Sequence, residues 1–296
     1  MKAPRASYRP DPNWPVLPPG FAFGAVCGVS VHPDGSVFVL HRGPGPVRRF
    51  SPEGRLLASW GDGLIKLPHT IKADHTGMVW VTDVGNHVVY QFTPEGEVLR
   101  VLGQKGEAGD RLDQFNQPTD VAVAPSGEFF VSDGYGNNRV LKFDRKGGLI
   151  RTWGQKGREP GQFDCPHALG LSPDCKLYVS DRSNSRIQVF SGDGVFETEW
   201  RSYPYVDGIH CSGDGDVWVS TGRENGVLRI GPDGWVKDSF GGLQSTEDEI
   251  QANLCVPLGR FNVAHALSLD AAGNLYVAEV RSRRIQRWAL VNSGSP

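Results

Sequence analysis

One order of short signals returns six times along these 296 residues: an alternating strand, a polar turn ending in Gly, a V-x-V-type strand ending near Asp, a third strand opening after Asn or Arg, and a fourth closing on Trp-Gly or Phe-Gly. The second strands read SVFVLHRG, MVWVTDVG, EFFVSDGYG, KLYVSDRSN, DVWVSTGRE and NLYVAEVRS. Their period-two alternation of β-branched and aromatic residues suits a pleated surface. Turns such as HPDG, APSG, SPEG and TPEG stand between strands, with Pro presetting φ and Gly accepting a positive one. A four-stranded sheet this small cannot bury both faces alone, so recurrence every 40 to 58 residues or roughly so predicts units packed around a common axis.

The expected fold is all-β, a six-bladed β-propeller over residues 1–296, with blades at about 26–60, 68–103, 118–154, 166–201, 206–241 and 263–290. The last unit has only three strands, and GFAFG at Gly20–Gly24 reads as the missing fourth, so a strand at about 18–24 is expected to close the ring. A β-sandwich, the competing all-β architecture, does not need repeats of this regularity.

A formal net charge of −2 and a pI of about 6.4 give no basic field for phosphates, which excludes nucleic acid as an expected partner. No apolar run reaches membrane-spanning length, and the opening MKAPRASYRPDPNWPVLPPG lacks a signal-peptide core. A soluble, cytoplasmic monomer without membrane contact is the expectation. Cys27, Cys165, Cys175, Cys211 and Cys255 are odd in number and show no CxxC spacing, which suits free thiols in a reducing compartment.

In a blade the innermost strand comes first, so residues opening each first strand ring the central channel. Aligning VCGVSV, PHTIKA, PTDVAV, PHALGL, VDGIHC and AHALSL puts Cys27, His69, Thr119, His167, Asp207 and His265 in the second position. Histidine thus occupies every other blade, 98 residues apart each time, and in a six-fold ring that sets the imidazoles about 120° apart. Three His with an open fourth position are the protein ligands of a catalytic zinc or a similar divalent transition metal, whereas a hard ion prefers carboxylates. A lone His is more often a hydrogen-bonded core residue; the alternation of three is what favours a metal.

The end of each second strand returns to the same channel mouth, bringing Arg42, Arg182 and, one residue further on, Tyr135. A neighbouring guanidinium lowers a phenol's pKa, so Tyr135 beside Arg42 or Arg182 is a candidate base. The acidic column Asp83, Asp133 and Asp181, with Glu279 at the equivalent place, reads as structural, capping turns. Asp120 and Asp207 lie nearer the axis, where either orienting an imidazole or bonding backbone is open to them. Loops 104–117, 155–164 and 241–260 exceed turn length; they are either substrate-reading loops or solvent-exposed linkers.

The motifs LPH (Leu67–His69), QPTDVAV (Gln117–Val123), VSDGYGNNR (Val131–Arg139), PGQFDCPHALGL (Pro160–Leu171) and SDRSNSRIQVF (Ser180–Phe190) carry a resemblance. Over about 26 to 288 the chain resembles the peptidyl-α-hydroxyglycine α-amidating lyase branch of the NHL-repeat propellers. That resemblance implies a zinc on His69, His167 and His265, a base at Tyr135, and arginines Arg42 and Arg182 lining the site. It also implies cleavage of a carbinolamide into an amide and an aldehyde acid. The family places an Asp, a ligand of a structural calcium, after its third His and a Met two residues before it; this chain has Ala266 and Val263. Calcium is left with main-chain carbonyls at Val29 and Ile71. The family's peptide-processing members work in secretory compartments beside a copper monooxygenase domain, so the substrate expected here is any small-molecule or peptide-derived compound that fits the channel.

Three functions compete. A metal-dependent lyase on an N-(α-hydroxyalkyl) amide uses the three His with Tyr135 and Arg42. A metal-dependent, lactonase-like hydrolase uses the same groups on a carbonyl and incorporates water. A non-catalytic scaffold binds a partner on its channel face and has no need of alternating histidines.

Overall fold

The computed structural model describes residues 7–241 and 256–291. Cys255, most of the 241–260 loop and both chain ends lie outside the described residues. Strand β1 (Ser7–Pro10) comes first. The first blade is β2 (Ala25–Val31), β3 (Val37–Arg42), β4 (Val47–Phe50) and β5 (Leu56–Trp60), and the second is β6 (Pro68–Ala73), β7 (Val79–Asp83), β8 (Val88–Phe92) and β9 (Val98–Leu102). The third holds β10 (Asp120–Val123), β11 (Phe129–Asp133), β12 (Arg139–Phe143) and β13 (Leu149–Trp153), and the fourth β14 (Pro166–Leu171), β15 (Leu177–Asp181), β16 (Arg186–Phe190) and β17 (Phe196–Arg201). The fifth consists of β18 (Val206–Cys211), β19 (Val217–Thr221), β20 (Gly226–Ile230) and β21 (Val236–Phe240); β22 (Ala264–Leu269), β23 (Leu275–Glu279) and β24 (Arg284–Val291) begin the sixth. Each blade is an antiparallel sheet in simple meander order, and the whole is a six-bladed β-propeller, as the repeats predict.

The sixth sheet runs β1-β24-β23-β22, so an N-terminal strand does close the ring. It is not the one expected at 18–24. Ser7–Pro10 pairs with Val291–Trp288, while Gly20–Gly24 forms no strand. Pro18 and Pro19 have no N–H to give a ladder, the Phe21 N–H turns back to Pro18 O, and the Gly24 N–H is taken by His41 Nδ1 at 3.1 Å. The aromatics of GFAFG pack inward instead, Phe23 5.4 Å from the His41 ring.

Packing grades outward from the axis. Strands β7, β11, β15, β19 and β23 are buried at every residue, whereas β9 and β21 alternate exposed and half-buried. Apolar clusters lie between neighbouring sheets: Phe38, Leu40 and Val47 of the first blade meet Ile71, Val81 and Tyr90 of the second. Outer tryptophans lock this packing. Gly96, at φ +95°, turns β8 into β9 so closely under Trp60 of the preceding blade that a Cβ would come within 2.6 Å of the indole. Trp14 packs on Gly54 in the same way, so the N-terminal segment gives the sixth blade its outer aromatic as well as its fourth strand.

Candidate metal centre

Four buried carboxylates set where the inner strands begin. Asp83 accepts the N–H groups of Lys66 and Leu67, Asp133 that of Asn116, Asp181 that of Asp164 and Glu279 that of Asn262. Each grip begins three residues before the channel position of its blade (His69, Thr119, His167, His265), and that of Asp83 extends to Leu67, two before. The acidic column is therefore structural, and it anchors a long-range entry as well as local turns. Arg139, Arg186 and Arg284 bind Asp133, Asp181 and Glu279 and fork onto carbonyls of the long loops, among them Gln114 O, Gln162 O and Arg260 O. The described parts of those loops are pinned rather than loose linkers.

Gln117, Cys165, Tyr205 and Val263, each two residues before the channel position, are left-handed with φ between 49° and 63°. None is glycine, so each costs about 1–2 kcal/mol that its surroundings must offset. Cys165 N–H donates to Asn138 Oδ1 at 2.8 Å and Val263 N–H to Asn225 Oδ1 at 2.6 Å, each asparagine belonging to the preceding blade. The sequence reading missed these asparagines; their recurrence after the second strand, in GNNR and ENG, is the signal for them.

The three histidines meet at the axis. His69 and His167 are almost fully buried and His265 nearly so. Ring centroids lie 4.8, 4.9 and 5.2 Å apart, with the rings steeply inclined to one another. The intervening blades hold the rings: His69 Nδ1 bonds Thr119 O at 2.6 Å, His167 Nδ1 bonds Asp207 O at 2.9 Å, and His265 Nδ1 bonds Cys27 O at 2.7 Å. A carbonyl only accepts, so every Nδ1 carries the proton and every Nε2 presents a lone pair.

Burial keeps all three imidazoles neutral at pH 7. It holds His69 and His167 well below the usual range, with help from neighbouring His and Arg charges, and His265 at about 4 with Arg42 and Arg182 adding to the effect. His69 Nε2 and His167 Nε2 stand 3.1 Å apart with no proton between them. Two lone pairs at that distance repel unless a cation lies between, and tetrahedral zinc with Zn–N bonds of about 2.0–2.1 Å sets ligand nitrogens roughly 3.3 Å apart. The donor atoms of all three His lie within 4.8 Å of one another, so the set fits a transition metal that prefers imidazole.

Tyr135 reaches the same point. Its hydroxyl lies 2.9 Å from His69 Nε2 and 3.0 Å from His167 Nε2. Gly134 makes this possible, because a Cβ there would meet Pro166 O at 2.1 Å. Arg182 is the arginine beside Tyr135, its guanidinium 5.4 Å from the centre of that ring and equally far from Tyr205. Its Nη1 binds Asp207 Oδ1 at 3.1 Å, and its enclosed Nε has no acceptor among the described residues. Arg42 donates from Nε to Pro68 O at 3.3 Å, next to His69. The phenol, however, departs from expectation: burial pushes it up to about 12, and Arg182 only partly opposes this.

Calcium lacks the side-chain oxygen that the resemblance implies for it: Ala266 follows His265, and the histidine triad is the one cluster of three or more His, Cys, Asp or Glu ligands among the described residues. Asp120 faces neither an imidazole nor an empty cation position, but the Lys72 ammonium at 3.6 Å.

Comparison with known proteins places the chain in a family. The NHL repeat matches residues 115–143 and 163–190. A Caenorhabditis elegans protein named a probable peptidyl-alpha-hydroxyglycine alpha-amidating lyase is 32% identical over 92% of this chain and 85% of its own length. The chain belongs to the amidating-lyase family of NHL propellers. Within that family names differ: human NHL repeat-containing protein 3 is 30% identical, over 98% of this chain and 86% of that protein. The mouse peptidyl-glycine alpha-amidating monooxygenase is 38% identical over 95% of this chain, which spans only 32% of it. A gluconolactonase of Xanthomonas campestris shares the fold at a TM-score of 0.67 and 17% identity, covering 98% of this chain and 99% of that one.

Proposed function

We propose that this propeller is a metal-dependent carbon–nitrogen lyase that cleaves an N-(α-hydroxyalkyl) amide into an amide and an aldehyde. The observation that carries the reading is the convergence of three unprotonated Nε2 atoms with the Tyr135 hydroxyl, 2.9 and 3.0 Å from two of them. The name of the worm relative, a probable amidating lyase, supports the same reaction class. A bound zinc or similar ion supplies Lewis acidity toward the substrate's α-hydroxyl. His69, His167 and His265 would hold it, and their carbonyl partners keep the rings in the binding tautomer.

Tyr135 is the base. Burial disfavours its phenolate and the Arg182 guanidinium favours it; a cation at the imidazoles would favour it further. In that form its oxygen accepts the α-hydroxyl proton, the C–O bond becomes a carbonyl as the C–N bond breaks, and the proton is returned to the departing amide nitrogen. The unsatisfied Nε of Arg182 and the guanidinium of Arg42 give the mouth two positive groups suited to a substrate carboxylate.

Zinc-loaded protein incubated in ¹⁸O-water with an N-acyl-α-hydroxyglycine is expected to release glyoxylate and the primary amide, with no ¹⁸O in the amide. Tyr135→Phe should keep its metal, by elemental mass spectrometry, and lose about 10²–10⁴-fold in turnover. Release of an ¹⁸O-labelled carboxylic acid in place of the amide would establish hydrolysis instead, and metal-loaded protein inert toward such amides would refute the lyase.

A further inference from the structure

Beyond the histidines the channel holds a second charged group that the chemistry above does not use. Lys72 lies three residues after His69 on β6, which carries it about 10 Å along the axis. Its side chain leaves the second blade and crosses the ring: Nζ donates to Ile209 O on β18, in the fifth blade, at 3.3 Å. On the way it passes Asp120 Oδ2 of the third blade at 3.6 Å. Asp120 is nearly fully buried, and its oxygens also accept the N–H groups of Val121 at 2.8 Å and of Leu169, in the fourth blade, at 2.9 Å. Burial pushes the carboxyl up and the Lys72 charge opposes that. One ammonium and one carboxylate thus join four blades across the channel, beside a cavity of about 160 Å³ that Leu169, His210 and Cys211 also line.

The carbonyl that Lys72 uses stands in register with those left to calcium. Val29, Ile71 and Ile209 each lie two residues after the channel position of their blades, Cys27, His69 and Asp207. The affinity of a hard divalent ion rises with the charge of its oxygen ligands, and at the position after His265 this chain has the uncharged Ala266. The Lys72 ammonium, fixed on the Ile209 carbonyl, already brings one positive charge to this level of the channel and repels a second cation.

We propose that Lys72 is the structural cation of this channel, tethered by its own side chain, and that the propeller requires no calcium. The inference stands apart from the lyase reading, since it concerns stability and ion content and not turnover. The test is made on the full-length, zinc-saturated protein. In calcium-free buffer and in millimolar calcium chloride the chain is expected to unfold at the same temperature and to retain no calcium after desalting. Lys72→Met leaves Asp120 buried without its counter-charge and is expected to lower the unfolding temperature by roughly 5 °C or more, with Asp120→Asn on that background recovering part of the loss. Retention of one calcium per wild-type chain overturns the proposal, as does a calcium-dependent rise in its unfolding temperature. Lys72→Met unfolding at the wild-type temperature overturns it equally. If Lys72→Met fails to fold, the two wild-type calcium measurements decide.

Discussion

A histidine column was legible in the sequence because a ligand must be a particular side chain, and six aligned strands expose a residue type that recurs in every second one. The partners of those histidines were not legible, because Thr119, Asp207 and Cys27 bind the imidazoles through carbonyls that any residue carries. Tyr135 and its arginine could be named but not weighed, since the opposing effect, burial of the phenol, is a property of the closed ring. Two further histidines set an acid limit on stability. His41 is held neutral at about 4 by burial and Arg48, accepting from Gly24 N–H and donating to Gly45 O. His210 is lowered to about 4 by burial and by Lys72. Unfolded, both return to about 6.5. Between those values the unfolded chain binds protons that the folded chain refuses, so their contribution is complete above pH 6.5 or so and declines as pH falls toward about 4. The urea midpoint should drop from pH 7 to pH 5, and His41→Gln with His210→Gln should flatten the slope; an unchanged slope would show that neither imidazole matters.

At the level of the element, each ligand is aimed by a carboxylate on the strand paired with its own. Asp181 illustrates the design: it holds the N–H of Asp164 at 2.6 Å, Asn184 Nδ2 at 2.9 Å and Arg186 Nε at 2.7 Å. Asp181→Ala takes from the buried Arg186 guanidinium one of its two carboxylate partners, leaving Glu199 at 2.6 Å, and frees the turn leading to His167. A loss of about 3–5 kcal/mol is expected in urea unfolding, together with weaker zinc binding in competition with a chelating dye. Full zinc affinity in a destabilised variant would separate the carboxylate from ligand placement. The blades themselves were readable from alternation and turns, but the closing strand was not. Ser7–Pro10 offers four residues, too few for a period, whereas Gly20–Gly24 carries the aromatic-Gly ending of an outer strand without the free N–H groups to act as one.

For the whole molecule, a metal on His69, His167 and His265 would fasten the second, fourth and sixth blades across the axis. Free ion about a thousandfold above its Kd adds about 4 kcal/mol to the folded state. Stripping it with a chelator should therefore lower the unfolding temperature by roughly 10 °C, reversibly on adding zinc, as read by calorimetry; an unshifted transition would mean that the site binds no ion. The same ring carries a rule of parity. Blades that give an imidazole alternate with blades that give a carbonyl, and two kinds of member can alternate around a closed cycle only when their number is even. Adding or deleting one blade would set two of the same kind side by side, leaving an imidazole with nothing to orient it or a carbonyl with nothing to hold. Repeat duplication, which changes most solenoids and rings one unit at a time, is closed to this centre: its lineage can resize only by neighbouring pairs, and the next size up brings a fourth imidazole to the axis.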